Sequence, residues 1–446
     1  MKTIMLDTDD IDIPSAVFDI VNALKIEGYT PYLVGGCVRD ILLGRNPKDF
    51  DIVSNALPND VERIFPNTKS VGKFFGVILV TIGNKTFEVS TFRKDGQYID
   101  GRHPENIEFG NIETDANRRD FTCNGLFYDV IKKEIFDFHN GIDDIKNKTL
   151  RTIGNANERI TEDYLRMLRA VRFAAGLDFN INNSLKSAIS SAASMIKNIS
   201  EERIFEEINR MLTGKNAEVS FRLMDEFGLL PILLPEITMM KNIPQGEDYH
   251  PEGDVFEHTM TILSKFPDDI SLPIAWGALL HDVAKPTTFA ITDRIRFTQH
   301  ETIGAEMAKK ILKRFKASND LIDIVYRIVR DHMKFINVRS MKKSTLRRFI
   351  GDADFRSLLE VHRIDALASN NNLKYYDFCI RFLDEYKIEP VKPMPILKGK
   401  HLIEMGLEPS PIFKSILDDV YDLQLEGNIR TINEAIAYVH KKYNYL

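Results

Sequence analysis

Cysteine is scarce. Cys37, Cys123 and Cys379 are three thiols in 446 residues, scattered and odd in number. No disulfide frame is expected from them, and a reducing cytoplasm is. No run of eighteen apolar residues occurs, so no membrane span is expected. The opening stretch MKTIMLDTDDIDIP is acidic and lacks an apolar core, so it does not read as a signal peptide. Internal repeats and low-complexity tracts are absent. A strong excess of one charge is absent too: 59 Lys and Arg against 65 Asp and Glu leave a net charge of −6. That speaks against a generic nucleic-acid coat, yet allows a local basic groove on an acidic body.

What is present is an ordinary globular composition, 43% hydrophobic and 28% charged. The length exceeds one compact core and predicts two to four domains. Strand signals fall at 31–34, 50–53, 77–82, 86–91 and 134–138, with Gly83-Asn84 as a hairpin turn between two of them. Short helices are expected at 38–43 and 59–65. From about Thr161 helical periodicity takes over, with Thr161 and Glu162 opening a helix. Residues 243–253 and 390–400 are Gly- and Pro-punctuated separators.

The most informative stretch is LVGGCVRDILLGRNPKDFDIVS, from Leu33. Asp49 and Asp51 stand two apart, which on a strand puts both on one face. Such carboxylates repel unless a cation sits between them, and Mg²⁺ suits carboxylates and phosphates. Two such ions can activate an attacking hydroxyl and neutralise a leaving pyrophosphate. Gly35-Gly36 lets backbone N–H groups approach a triphosphate, and Arg39 adds a charged fork. An isolated Asp-x-Asp would more simply be a solvated strand; the glycines and Arg39-Asp40 tip the balance. Glu88, in FEVST, is either a third carboxylate or a solvent-facing strand residue.

This stretch resembles the signature of the nucleotidyltransferase superfamily and, more narrowly, the first motif of class II tRNA nucleotidyltransferases: the CCA-adding enzymes and their bacterial poly(A) polymerase relatives. The resemblance implies that Gly36 and Arg39 contact the triphosphate and that Asp49 and Asp51 hold Mg²⁺. RRDFTCNGLFYD, from Arg118, resembles the second motif and implies that Arg118 and Arg119 hold ribose and phosphate. Gly125 stands where the family has Ala, a departure that loosens packing. EDYLRMLRAVRF, from Glu162, resembles the base-reading motif. Asp163, Arg166, Arg169 and Arg172 would form a strip along one helix, matching the Watson–Crick edges of CTP and then ATP; in isolation the pattern is equally a salt-bridged helix face. ISEERIFEEINRML, from Ile199, resembles a bracing helix and is read as structural. The polar loop at 91–110, with Gly96 and Gly101, resembles the loop that accompanies the switch to adding A.

A second constellation follows. HPEGDVFEHTM begins at His250, LLHDVAKP at Leu279, and HRIDALAS at His362. Imidazoles with carboxylates suit divalent transition metals better than Mg²⁺. The pattern resembles the HD phosphohydrolase domain, which implies that His258, His281, Asp282 and Asp365 bind one ion, a divalent transition metal or Mg²⁺. His300 and His332 could complete a second site. His250 and His362 read as packing or surface residues.

Lys342-Lys343 and Arg347-Arg348 form a basic cluster, joined by Lys392, Lys398 and Lys400, suited to tRNA phosphates or simply a solvated helix face. The expected architecture is α+β. A small mixed α/β head with a β-sheet (1–150) precedes a helical neck for base recognition and RNA binding (151–245). A helical HD metal-binding region (246–370) and a helical tRNA-binding tail (371–446) follow. The resemblance implies addition of C, C and A to the tRNA 3′ end from CTP and ATP, releasing pyrophosphate. An A-adding enzyme or poly(A) polymerase, and a phosphohydrolase with an accessory head, are the alternatives. The protein is expected in the cytoplasm, as a monomer or homodimer.

Overall fold

The computed structural model describes residues 1–5, 11–72, 75–96, 107–246, 253–386 and 390–443. They form two compact units, Met1–Pro235 and Glu236–Leu446. Half of the loop expected at 91–110, residues 97–106 including Gly101, and His250 lie outside the described residues.

Among the described residues, ten strands lie between 1 and 137: β1 Lys2–Met5, β2 Tyr32–Val34, β3 Asp51–Ser54, β4 Thr68–Gly72, β5 Val77–Ile82, β6 Lys85–Thr91, β7 Arg93–Asp95, β8 Ile107–Phe109, β9 Leu126–Asp129 and β10 Glu134–Asp137. Eight make one mixed sheet in the order β1-β10-β9-β2-β3-β6-β5-β4, while β7 and β8 pair separately. β3 is antiparallel to β2, with Val34 opposite Asp51, and parallel to β6, with Ile52 opposite Val89. The β3 sequence explains its central place: Ile52 and Val53 are fully buried, and only Asp51 reaches solvent. Val34, Val53, Phe92, Ala116 and Phe127 form an apolar cluster beneath the site.

Around Asp163 the neck has two helices in place of the one expected to open at Thr161. Ala156–Glu162 ends where a helix start was predicted, and Arg166–Leu177 begins after a break. Asp163 is extended (φ −148°, ψ 105°) and its Oδ1 accepts from the Leu165 N–H at 3.0 Å. A short acceptor beside its own backbone competes with helical continuation.

The second unit is helical apart from a hairpin, Phe289–Ile291 with Ile295–Phe297, that periodicity did not signal. Helix Leu272–Leu280 is apolar on all sides and buries Trp276. A Cβ on Gly277 would lie 2.7 Å from Ile328 Cγ2, so only glycine lets the helix Asn319–Asp331 approach this closely. The tail packs its own core from Leu402, Ile416, Val420, Ala435 and Val439. No helix among the described residues is long and apolar enough to cross a membrane. All three cysteines are buried and unpaired.

Candidate functional site

Gly35 separates β2 from the helix Gly36–Leu42 and has φ +77°, a conformation that L side chains rarely adopt. A Cβ there would lie 3.5 Å from Arg119 Nη1 and 3.9 Å from Asp51 Oδ2. The glycine turn therefore brings backbone against both a guanidinium and a carboxylate. Asp51 opens β3, whereas Asp49 precedes the strand rather than lying on it; both are exposed. The parallel register sets Glu88 of β6 level with Asp51. Protein crowding the Asp51 carboxylate desolvates it, and Glu88 and Asp49 repel it. Against the pull of Arg119, these raise its pKa from 3.8 to about 6. Glu88 is the largest charge acting on Asp51, which favours the third-carboxylate reading over that of a simple strand residue. A surplus of negative charge that penalises its own ionisation fits a hard cation.

Arg118 and Arg119 both pair with Asp115, which is fully buried, at 2.7 and 2.8 Å. Burial would raise the Asp115 pKa, but the two guanidiniums hold it below the usual range. Arg119 also lies over the Phe127 ring, 5.4 Å from its centroid. Arg39 is buried, and its Nη1 donates to Asn124 Oδ1 at 2.8 Å. The space beside Gly125 is not loose: Ile153 Cδ1 lies 2.7 Å from where an alanine Cβ would be.

The arginine strip is already paired within the protein. Arg166 is buried and donates to Glu162 and to the Arg159 carbonyl. Arg169 donates to Asp120 at 2.7 Å, and Arg172 to Glu207 at 2.7 Å. Asp163 accepts from Arg203 at 2.8 Å. Despite its burial, Asp120 has a pKa lowered to about 2 by Arg169 and Asn124. Helix Glu201–Leu212, read as bracing, supplies both Arg203 and Glu207. Their part is invisible in sequence because each partner lies about forty residues away, 163 to 203 and 172 to 207.

In the second unit the histidines and aspartates converge. His258, His281 and Asp365 form one group, and Asp282, His300 and His332 another, each with ligand atoms within 4.8 Å of one another. Asp282, expected as a fourth ligand beside His258, His281 and Asp365, faces both groups. Its Oδ2 lies 3.1 Å from His281 Nε2, and its Oδ1 lies 3.5 Å from His300 Nε2 and 3.9 Å from His332 Nε2. His281, His300 and His332 each place Nδ1 within 2.6–2.8 Å of the carbonyl three residues earlier. A donated Nδ1–H leaves Nε2 as a lone pair aimed inward, the tautomer a metal requires. The Nε2 atoms of His300 and His332 are 3.2 Å apart, a repulsive arrangement that a shared cation relieves. Burial and His281 hold His332 neutral down to about 3. Lys285, also buried, donates to Asp282 at 2.7 Å and to Gln245 at 2.6 Å. His362 stacks on Phe335 with centroids 4.2 Å apart, a packing role as expected.

The basic cluster is smaller than its sequence. Arg347 is buried and donates to the carbonyls of Val391, Leu425 and Pro390, which makes it structural. Arg348 donates to Asp422 at 2.8 Å. Lys342, Lys343, Lys392, Lys398 and Lys400 are exposed.

Residues 31–151 match the poly A polymerase head domain, 178–240 the probable RNA and SrmB-binding site of polymerase A, and 255–359 the HD domain. A CCA-adding enzyme of Lactococcus lactis is 30% identical over 430 residues, 93% of this chain and 94% of that one. The chain belongs to the CCA-adding enzyme family. Poly(A) polymerase I of Salmonella typhimurium is 39% identical, but over only 51% of each chain. The Bacillus stearothermophilus CCA-adding enzyme in complex with CTP superposes with a TM-score of 0.76 at 27% identity, covering 96% of this chain and 97% of that one. CCA-adding enzymes are tRNA nucleotidyltransferases, and the family is metal-dependent; the HD match covers the two histidine–aspartate groups up to residue 359 and suggests metal binding there.

Proposed function

We propose that this CCA-adding enzyme extends the 3′ end of tRNA with C, C and A from CTP and ATP, in the cytoplasm. The observation that carries the chemistry is the geometry: Asp51 level with Glu88 across the parallel β3–β6 pair, against the glycine turn with Arg119 and Arg39 beside it. Asp49 and Asp51, with Glu88 alongside, would hold Mg²⁺. Bound Mg²⁺ supplies Lewis-acid neutralisation of phosphate oxygens and makes a hydroxyl more nucleophilic. Gly36, Arg39, Arg118 and Arg119 bind the triphosphate and ribose, orienting the α-phosphate toward the tRNA 3′-hydroxyl. Asp163 and Arg166, at the helix break, offer an acceptor and a donor to the base edge. Arg169 and Arg172 fix the strip through Asp120 and Glu207. No covalent enzyme intermediate is needed. The head, neck, HD and tail division at 150, 245 and 370 assigns these steps to the first two regions, and tRNA contacts to the neck, the tail and the Lys342-Lys343 cluster of the HD region.

The expected result is incorporation of both C and A when Mg²⁺, CTP and ATP are supplied with tRNAs ending before CCA, after C, and after CC. Addition of A alone would favour an A-adding enzyme or poly(A) polymerase. No addition, with metal-dependent phosphate release from phosphoesters, would overturn both polymerase readings. A second, separate activity is favoured by the inward-facing Nε2 atoms around Asp282: hydrolysis of a phosphoester in the HD region, with a divalent transition metal or Mg²⁺ held by the two ligand groups.

Lys342 and Lys343 serve as tRNA phosphate contacts in this proposal. The double replacement Lys342→Gln, Lys343→Gln is expected to weaken tRNA binding and to lower the slope of log affinity against log salt by roughly 1.5, about 0.7–0.9 per phosphate contact. Fluorescence anisotropy across a KCl series measures it; an unchanged slope removes these lysines from the interface.

A further inference from the structure

Three guanidinium groups converge on one aromatic ring. The terminal carbons of Arg39, Arg169 and Arg172 lie 5.3, 5.4 and 4.2 Å from the centroid of Phe173. Phe121 meets the same ring edge-on, at 5.7 Å and 77°. Phe173 therefore touches side chains of all three head and neck motifs: Arg39 beside the glycine turn, Phe121 of RRDFT, and its own arginine strip.

Like charges this close repel unless compensated. The compensation is a continuous path of polar contacts. Arg39 pairs with Asp40 at 2.8 Å and donates to Asn124. Asn124 Nδ2 donates to Asp120 Oδ1 at 3.1 Å, and Asp120 Oδ2 accepts from Arg169. Arg169 lies 3.7 Å from Glu207, which accepts from Arg172. Hydrogen bonds along this path fix directions at each step. The ring adds something different, a negative face that attracts cations within about 6 Å with little angular demand. Among the described residues Arg39 pairs with Asp40 and the strip with Asp120 and Glu207, whereas all three arginines share the Phe173 ring.

We propose that Phe173 is a positioning residue that holds the triphosphate-binding Arg39 in register with the base-reading strip, and through that register sets discrimination between CTP and ATP. The proposal rests on the assignments of Arg39 and the strip made above. Triphosphate and base are covalently joined in one ligand of limited reach, so a shift between the two protein elements weakens both grips together and lets a wrong base find a compromise pose.

The test uses the full-length enzyme in single-nucleotide addition, with CTP on tRNA lacking CCA and ATP on tRNA ending in CC. Phe173→Leu keeps apolar bulk and removes the quadrupole; Phe173→Tyr keeps the ring. Phe173→Leu is expected to raise KM for both nucleotides about 5- to 10-fold and wrong-nucleotide incorporation by a similar factor, with kcat within about twofold of wild type. Phe173→Tyr should restore both properties. Should Phe173→Leu not fold, Phe173→Met serves as the non-aromatic variant. The proposal is overturned if the non-aromatic variant keeps wild-type KM and fidelity, or if Phe173→Tyr falls as far, since packing volume alone would then explain the effect. Arg39→Ala separates the two layers. Unchanged KM in that variant would sink the triphosphate assignment itself, whereas raised KM with an inert Phe173→Leu would sink only the positioning role.

Discussion

Asp51→Asn is expected to cut nucleotide addition by about 10³-fold or more, a loss of roughly 4 kcal/mol in transition-state stabilisation. The substitution keeps size and shape and removes only the charge that would hold Mg²⁺. It should therefore leave the fold intact, and the sign of its stability effect is diagnostic. The Asp51 pKa rises from 3.8 to about 6 on folding. Between roughly pH 4 and pH 6 the folded state holds a proton that the unfolded chain has released, so stability falls as pH rises through that window. Above it the ionised Asp51 destabilises the metal-free fold. Metal-free Asp51→Asn should melt no lower than wild type at neutral pH, and its melting temperature should lack the Asp51 contribution to that pH dependence. Adding Mg²⁺ should raise the wild-type melting temperature and not the variant's. Single-turnover primer extension and thermal melts with and without Mg²⁺ check both parts. Retained activity, or equal Mg²⁺ stabilisation of both proteins, would remove Asp51 from the metal site.

Asp282→Asn should have the second large effect, in the other unit. Asp282 is the carboxylate that faces both ligand groups, and it also balances Lys285, which is 7% exposed. Its replacement is expected to empty both metal positions and to abolish any phosphoester hydrolysis. Leaving a buried ammonium without its anion costs roughly 3–5 kcal/mol, so a large fall in melting temperature should accompany it. His281→Ala removes one ligand without stranding Lys285 and should lose metal with a smaller stability cost. Nucleotide addition should persist in whatever fraction of either variant folds. Metal content by plasma mass spectrometry, read beside the melting curve, distinguishes ligand loss from unfolding. Full metal occupancy in folded His281→Ala would overturn the assignment.

Several pieces of this protein were legible before any fold was known. A glycine turn, Asp-x-Asp, and a His followed far off by His-Asp are short-range patterns whose spacing already constrains geometry. The head strands at 77–82 and 86–91 were legible because alternation and a Gly-Asn turn act locally. The break at Asp163 was not, because a side chain capping its own backbone overrode a continuous apolar period. Arg347 looked like a surface cation and is buried against three carbonyls, since a guanidinium's donors can be satisfied by backbone that arrives from residues 390–425.

The sequence by itself determined which chemistry the residues suit: carboxylates with a glycine turn for nucleotidyl transfer, imidazoles with aspartates for holding a metal ion. The tertiary structure decided which groups act together. Glu88 joins Asp51 only because β6 runs parallel to β3, and Asp282 serves two ligand groups only because His300 and His332 are delivered by a hairpin and a distant helix end. Arg39 meets Arg169 and Arg172 only around Phe173. Hydrogen bonds and cation–π contacts act only over a few ångströms, so pairings between residues tens of positions apart leave no periodic trace in the chain and exist only once it has folded.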